Sequence, residues 1–211
     1  MKDIILFGMQ GSGKGTQAKL LVQKHGYKMF ETGAELRAMT ESGTELGNRV
    51  KEVINAGRLV DTKIIMEIVE AFVQKLAPSD AVIFDGIPRS IEQMEAFEQV
   101  MQKIGRSPLG VNIKLTKDEA LARLVKRFTC VGVDMTNNPL MTEEECISLG
   151  GTVKRRADDT PEAISVRLDA FFSETQPVIE SYKQLERMVE VSGIQDVEAV
   201  TKEVEIMIKD Q

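Results

Sequence analysis

Few local patterns leave a chain as little freedom as the one at residues 4–16. The apolar run Ile4-Ile5-Leu6-Phe7 leads into Gly8-Met9-Gln10-Gly11-Ser12-Gly13-Lys14-Gly15-Thr16. A helical pattern over Thr16–Lys24 follows, with Ala18, Leu21 and Val22 on one face and Gly26 as its stop. Strand, glycine loop, lysine and helix in that order form a cradle for phosphate. Glycines let backbone N–H groups converge on an anion, the helix N-terminus adds its positive end, and Lys14 adds a point charge for the β- and γ-phosphates. The strict pattern places Ser or Thr directly after the lysine; here Gly15 stands there and Thr16 follows. A glycine-rich turn without a ligand is the alternative, but all four parts are present together. The loop implies binding of a nucleoside triphosphate and leaves the reaction open.

Downstream, short apolar runs alternate with longer amphipathic segments, the pattern of an α/β protein with a parallel sheet. Strands are expected at Ile4–Phe7, Lys28–Glu31, Ala81–Phe84, Val111–Leu115 and Met188–Val191, their continuous hydrophobicity suiting burial on both faces. Thr62 and Thr116 read as helix N-caps, with Glu119 at capping-box spacing from Thr116 and Gln93 at the same spacing from Ser90. Thr160-Pro161 reads as N-cap and first helical residue. The long helix it opens should bury Ile164, Leu168, Phe171, Phe172, Val178, Ile179, Tyr182 and Leu185 and bend at Pro177. Two stretches break the rhythm: Thr32–Val60, helical pieces punctuated by Gly33, Gly43, Gly47 and Gly57, and the polar Thr129–Lys154. Irregular insertions of this length are usually functional, and both read as movable elements on a fixed core.

Charge narrows the partners. Lys and Arg number 27 against 33 Asp and Glu, a net charge of -6, so the basic excess of a polymeric nucleic-acid binder is missing. A local cationic cleft inside an acidic shell remains open. With two cysteines, Cys130 and Cys146, the chain is no disulfide scaffold. Its first apolar run is too short for a signal peptide core, and no stretch reaches the ~20 apolar residues of a membrane span. The expectation is a soluble, reduced, cytoplasmic protein.

Gly11-Ser12-Gly13-Lys14-Gly15-Thr16-Gln17, with Gly after Lys, resembles the nucleoside monophosphate kinases, and among them the adenylate kinase family. Four further matches fall in that family's order: Thr32-Gly33 with Arg37; Gly57-Arg58-Leu59-Val60; Phe84-Asp85-Gly86-Ile87-Pro88-Arg89 with Gln93; and Arg156-Ala157-Asp158-Asp159 with Arg167. Val191-Ser192-Gly193 extends the resemblance over nearly the whole chain. It implies an α/β P-loop three-layer fold, a five-stranded parallel sheet wrapped by helices. The core would comprise 1–30, 61–127 and 159–211, with an AMP-binding lobe at 31–60 and a lid at 128–158. It also implies reversible phosphoryl transfer from Mg·ATP to AMP, giving two ADP, by a monomer.

The residue types suit that chemistry. Phosphoryl transfer between two nucleotides must gather two anions in line in a dry site rich in fixed cations. The acceptor is a phosphate oxygen already ionised at neutral pH, so no general base is needed, and the single histidine, His25, reads as a surface residue. Guanidinium forks hold phosphate in several bonds at once. Arg123 and Arg127, four apart, should project from one helix face.

The resemblance places the donor among Gly11, Ser12, Gly13, Lys14, Gly15 and Thr16, with Arg127 on the triphosphate, Arg123 against the base, and Gln195 nearby. The acceptor falls to Thr32, Gly33, Arg37, Arg58, Leu59, Val60, Gly86, Arg89 and Gln93, with Arg37 and Arg89 on its α-phosphate. Arg156 and Arg167 also fall on the AMP side and brace the transferring group. Lys14, Arg89, Arg123, Arg156 and Arg167 are therefore the expected catalytic residues. Mg²⁺ would take the Thr16 hydroxyl directly and Asp85 through water. Asp85 could instead simply start a turn, Gln93 could complete a capping box rather than meet a base, and Asp158-Asp159 could serve only the helix dipole.

Two departures stand out: Ala34 where the family usually has Asp, and Ile87 where it has Phe. Neither removes a phosphate-binding cation, so altered rate rather than lost function is expected. Long-lid relatives often bind zinc through two Cys-x-x-Cys pairs, but Val133 and Leu149 occupy the partner positions here. Even with Asp134 and Glu143–Glu145 available, two thiolates make a poor zinc site, and two free cysteines in a hydrogen-bonded lid are expected. Rival readings are a kinase for another monophosphate, such as UMP or CMP, and a non-catalytic nucleotide-binding regulator.

Overall fold

The computed structural model describes residues 1–55, 60–133, 141–155 and 160–209. Its strands are β1 (Ile4–Phe7), β2 (Lys28–Glu31), β3 (Val82–Asp85), β4 (Leu109–Lys114), β5 (Thr129–Val131), β6 (Thr152–Lys154) and β7 (Met188–Ser192). Five form one parallel sheet in the order β2-β3-β1-β4-β7, while β5 and β6 pair antiparallel apart from it. The expected sheet is therefore present, with β3 shifted by one residue and β4 starting at Leu109. Gly110 looks like a turn residue, yet it lies inside β4 because the Met188 side chain covers the place a Cβ would take.

Alternation along the buried strands builds two cores at once. Ile4, Leu6 and Ile83 pack on one face with Ala18, Leu21, Val200 and Val204. Ile5, Phe7, Val82 and Phe84 pack on the other with Phe97, Met101, Ile179 and Tyr182. The helices supplying these layers are α1 (Lys14–His25), α2 (Thr32–Glu41), α3 (Glu45–Asn55), α4 (Thr62–Val73), α5 (Ile91–Lys103), α6 (Lys117–Val125), α7 (Glu143–Ser148), α8 (Pro161–Ala170), α9 (Gln176–Gln184) and α10 (Val197–Lys209). None of the described helices is long and apolar enough to cross a membrane.

Local signals mostly act as expected. Gly26 ends α1 in the left-handed conformation and donates to Val22 O, and Thr116 and Glu119 form a full capping box. The cap of α4 is Asp61, not Thr62, because the Asp61 carboxylate accepts the Lys63 N–H at 2.8 Å and leaves Thr62 as the first helical residue. His25 is not a bare surface residue either: its Nε2 lies 2.9 Å from Glu205 of α10. The long C-terminal helix is interrupted rather than merely bent. Between α8 and α9, Phe171–Thr175 forms a π-helical turn, with Gln176 N–H bonded to Phe171 O. Pro177 has no N–H for the Ser173 carbonyl and crowds it, so widening the preceding turn relieves the conflict. Phe172 and Leu185, expected inside, are 46% and 52% exposed, one on the widened turn and the other just past the end of α9.

The 129–154 stretch overturns the expectation of free, reduced cysteines. Cys130 and Cys146 form a disulfide. Pairing of β5 with β6 sets Cys130 opposite Val153, and α7 folds back so that the two Cα atoms stand 5.8 Å apart, within bridging distance. Met141 shares this small core, with Phe128, Val133 and Val153 partly covering it.

Candidate active site

β1 is the central strand, flanked by β3 and β4, and the chain turns from one side of the sheet to the other across it. Its C-terminal end is thus a switch point, where open α/β sheets bind ligands. The phosphate loop leaves β1 there. Gly8 has φ 139° and Gly13 φ 97°, both in the region that favours glycine, and a Cβ on Gly8 would strike Ile113 O. Gly13, the N-cap of helix α1, offers no side-chain cap, and the first turn of α1 has no acidic residue, so its leading N–H groups are left for an anion. Ser12 Oγ in the loop is buried with no hydrogen-bond partner among the described residues. Lys14 Nζ folds over the loop, donating to Gly8 O at 2.5 Å and Met9 O at 3.1 Å.

Electrostatics bind the next group together. Burial pulls the Lys14 ammonium down to about 8; Asp85 opposes the shift, while Arg89 and Arg127 add to it. Asp85 ends β3 in register with Leu6 and Glu31 of the neighbouring strands. Burial pushes its carboxyl above the usual range; Lys14 and Arg89 resist this and Glu31 contributes to it. Arg89 in turn is lowered by burial, with Asp85 opposing and Arg167 adding. Lys14, Asp85, Arg89, Arg127 and Arg167 therefore form one chain of electrostatically linked groups. Arg127 joins it from the turn after α6, which ends at Val125, so it does not share a helix face with Arg123.

Arg89 is held tightly. Its Nε donates to Gly86 O at 2.8 Å and its N–H to Gln93 Oε1 at 2.9 Å. The open alternatives for Gln93 resolve in part here: Ser90 Oγ accepts the Gln93 N–H, but the Gln93 side chain turns to Arg89 rather than closing a capping box on Ser90. A Cβ on Gly86 would meet Arg89 Nη2 at 2.8 Å and Thr32 Cβ at 3.5 Å, so these three residues are neighbours. Thr32 Oγ1 is buried without a partner among the described residues. Beside Gln93 and Val60, a cavity of about 690 Å³ opens between α4, α5 and the π-helical turn.

Other expected residues have different partners. Arg37 pairs with Glu31 at 2.9 Å, on an exposed rim, and Gly33 packs against its guanidinium. Arg123 Nη2 donates to Gly193 O at 2.7 Å, tying α6 to the end of β7, and Gln195 bonds Glu203 of α10. Ala34 is exposed and Ile87 is buried. Gly57, Arg58, Leu59, Asp134, Arg156, Asp158 and Asp159 lie outside the described residues. Glu31 was not singled out from sequence; its place at the end of a strand beside that of Asp85 is the signal that finds it.

The family model described as adenylate kinase matches residues 6–187. The chain belongs to the adenylate kinase family. An adenylate kinase of Methanosarcina barkeri is 34% identical over 98% of both chains. One from Rhizobium rhizogenes is 36% identical over 97% of this chain and 98% of its own, and one from Archaeoglobus fulgidus is 30% identical over 98% of each. In this family the linked charges around Asp85 acquire a reason: cations gathered together are what two nucleotides require.

A magnesium ion fits the oxygen donors present. Asp85 offers a half-buried carboxylate at the C-terminal end of β3, and Thr16 sits in the first turn of α1 beside the phosphate loop. Mg²⁺ typically takes one or two protein oxygens and completes its shell with waters and substrate phosphates.

Proposed function

We propose that this chain catalyses reversible transfer of the γ-phosphoryl group of Mg·ATP to AMP, giving two ADP. The observation that carries the proposal is a linked set of charges beside the uncapped N-terminus of α1, which Lys14 opens: Lys14 and Arg89 act on Asp85, Arg127 on Lys14, and Arg167 on Arg89. Lys14 and the loop N–H groups would hold the donor phosphates, with Arg127 beside them. Arg89 would hold the acceptor α-phosphate, and Arg167, electrostatically coupled to Arg89, would lie between the two nucleotides. Thr16 and Asp85 would hold Mg²⁺, whose charge would neutralise the donor oxygens when bound. No side chain has to take a proton, since the acceptor oxygen arrives ionised.

In this reading 31–60 is the acceptor lobe and 128–158 the lid over a core of 1–30, 61–127 and 159–211, with Arg58, Leu59 and Arg156 contributing on closure. Closure would exclude water, which strengthens each arginine contact and suppresses hydrolysis. For acceptor choice, the buried Thr32 hydroxyl and the Gln93 amide supply polar groups beside an apolar wall at Val60 and Ile87. A site built to hydrogen-bond one base leaves those groups unpaired with another, a penalty that discriminates strongly. With Mg·ATP and parallel AMP, CMP, UMP, GMP and dTMP, ADP should form at least about tenfold faster with AMP than with any other. Equal rates with a pyrimidine monophosphate would reject AMP as the acceptor, and no turnover with any of them would reject catalysis.

A further inference from the structure

The buried seam of the C-terminal helical segment runs Ile164, Leu168, Phe171, then Val178, Ile179 and Tyr182. Its spacing of three and four residues calls for an apolar side chain near 175. The residue there is Thr175, the last of the π-helical turn. Inside a helix, a threonine hydroxyl commonly bonds back to the carbonyl four residues earlier. Here Phe171 O accepts the Gln176 N–H, and Thr175 Oγ1 instead reaches across the molecule to donate to Arg89 O at 3.1 Å. Arg89 is thereby fixed at three points: N–H by Gln93, carbonyl by Thr175, and Nε by Gly86. These three bonds leave the two outer guanidinium nitrogens for a ligand, in a neighbourhood where Asp85 and Arg167 act on its charge.

We propose that Thr175 is a positioning residue for the reaction, and that its hydroxyl sets where Arg89 presents its guanidinium to the acceptor phosphate. This rests on the assignment of Arg89 to the acceptor. The bond also links two segments that carry separate cations, since Arg167 lies in α8 of the same helical segment as Thr175 and Arg89 in the turn before α5. The link springs from the last residue of the π-helical turn. Mid-helix π turns of this kind frequently mark functional sites.

Thr175→Val keeps shape and β-branching and removes only the hydroxyl. It should raise KM for AMP about fivefold and lower kcat, the size expected for losing one net hydrogen bond, with KM for ATP changed less than about twofold. Thr175→Ser should restore the AMP value. Equal shifts in both KM values, or none, would overturn the proposal, since a merely structural role has no reason to separate the nucleotides. Arg89→Lys, assayed alongside, separates the two layers. If it leaves AMP kinetics intact, the assignment of Arg89 is wrong; if it impairs them while Thr175→Val does not, only the positioning role fails. In the Arg89→Lys background, Thr175→Val should lose most of its own effect, because the group it positions is gone. Should Thr175→Val not fold, Thr175→Ala reads the same split.

Discussion

Lys14→Met should abolish turnover while leaving the fold as stable as before. The expected loss in kcat/KM is about a thousandfold, in the range seen when one preorganised charge donor is removed from a transition state. Methionine matches the length of the lysine stem and keeps its apolar contacts, so the loop should hold its course. Stability should not suffer, because the ammonium is poorly placed in the free protein. Burial pulls it down to about 8, and the Gly8 and Met9 carbonyls with nearby Asp85 only partly replace its water shell. At neutral pH the charge is thus harder to hold in the folded chain than in the unfolded one. Thermal unfolding of the variant should occur at or above the temperature of the parent. An active variant would refute the phosphate-loop assignment, and an inactive but strongly destabilised one would show that the loop depends on Lys14 for its shape.

What was legible in sequence follows from where each signal is written. The phosphate loop, its flanking strand and the capping box at Thr116 and Glu119 are local patterns, and the structure repeats them within a residue. The linked cations were legible only through the ordered motifs, since each arginine alone has an equally good surface reading. Their common environment emerges once β3 brings Asp85 beside Leu6 and Glu31. Non-local features stayed hidden. Pro177 announces a disturbed helix but not its form, and nothing near Thr175 reveals that its partner is Arg89. Arg155 is a similar case. It donates to the Lys126 and Arg127 carbonyls and pairs with Glu143 at 2.6 Å, clasping the two ends of the 128–158 segment, yet in sequence it is one more basic residue. Spacing of the two cysteines was equally silent, because it does not show that a strand and a helix meet between them.

Removing that disulfide should loosen the proposed lid by about a hundredfold without disturbing the sheet. The segment has little else to stand on. Its described core consists of Cys130, Met141 and Cys146, with partial cover from Phe128, Val133 and Val153. Its helix, α7, has 6 residues and its strands 3 each, too short to persist alone. Small units of this kind need a staple. The bridge closes a loop with a sequence separation of 16, which the chain-entropy model values at about 3 kcal/mol, or roughly two powers of ten in an opening equilibrium. Gly151 leaves it room, since a Cβ there would sit 2.5 Å from Cys130 Sγ and 2.9 Å from Cys146 O. In a Cys130→Ala/Cys146→Ala variant, amide exchange at Cys130-equivalent strand β5, β6 and α7 should quicken about a hundredfold. Amides of β1 and β3, held between neighbouring strands, should keep their protection. Turnover should persist at low temperature, because no phosphate-facing cation has been removed, and decline on warming before the core unfolds. Unchanged exchange in 128–158 would mean that Arg155, with its three bonds at the base of the segment, and not the disulfide, holds it closed on itself.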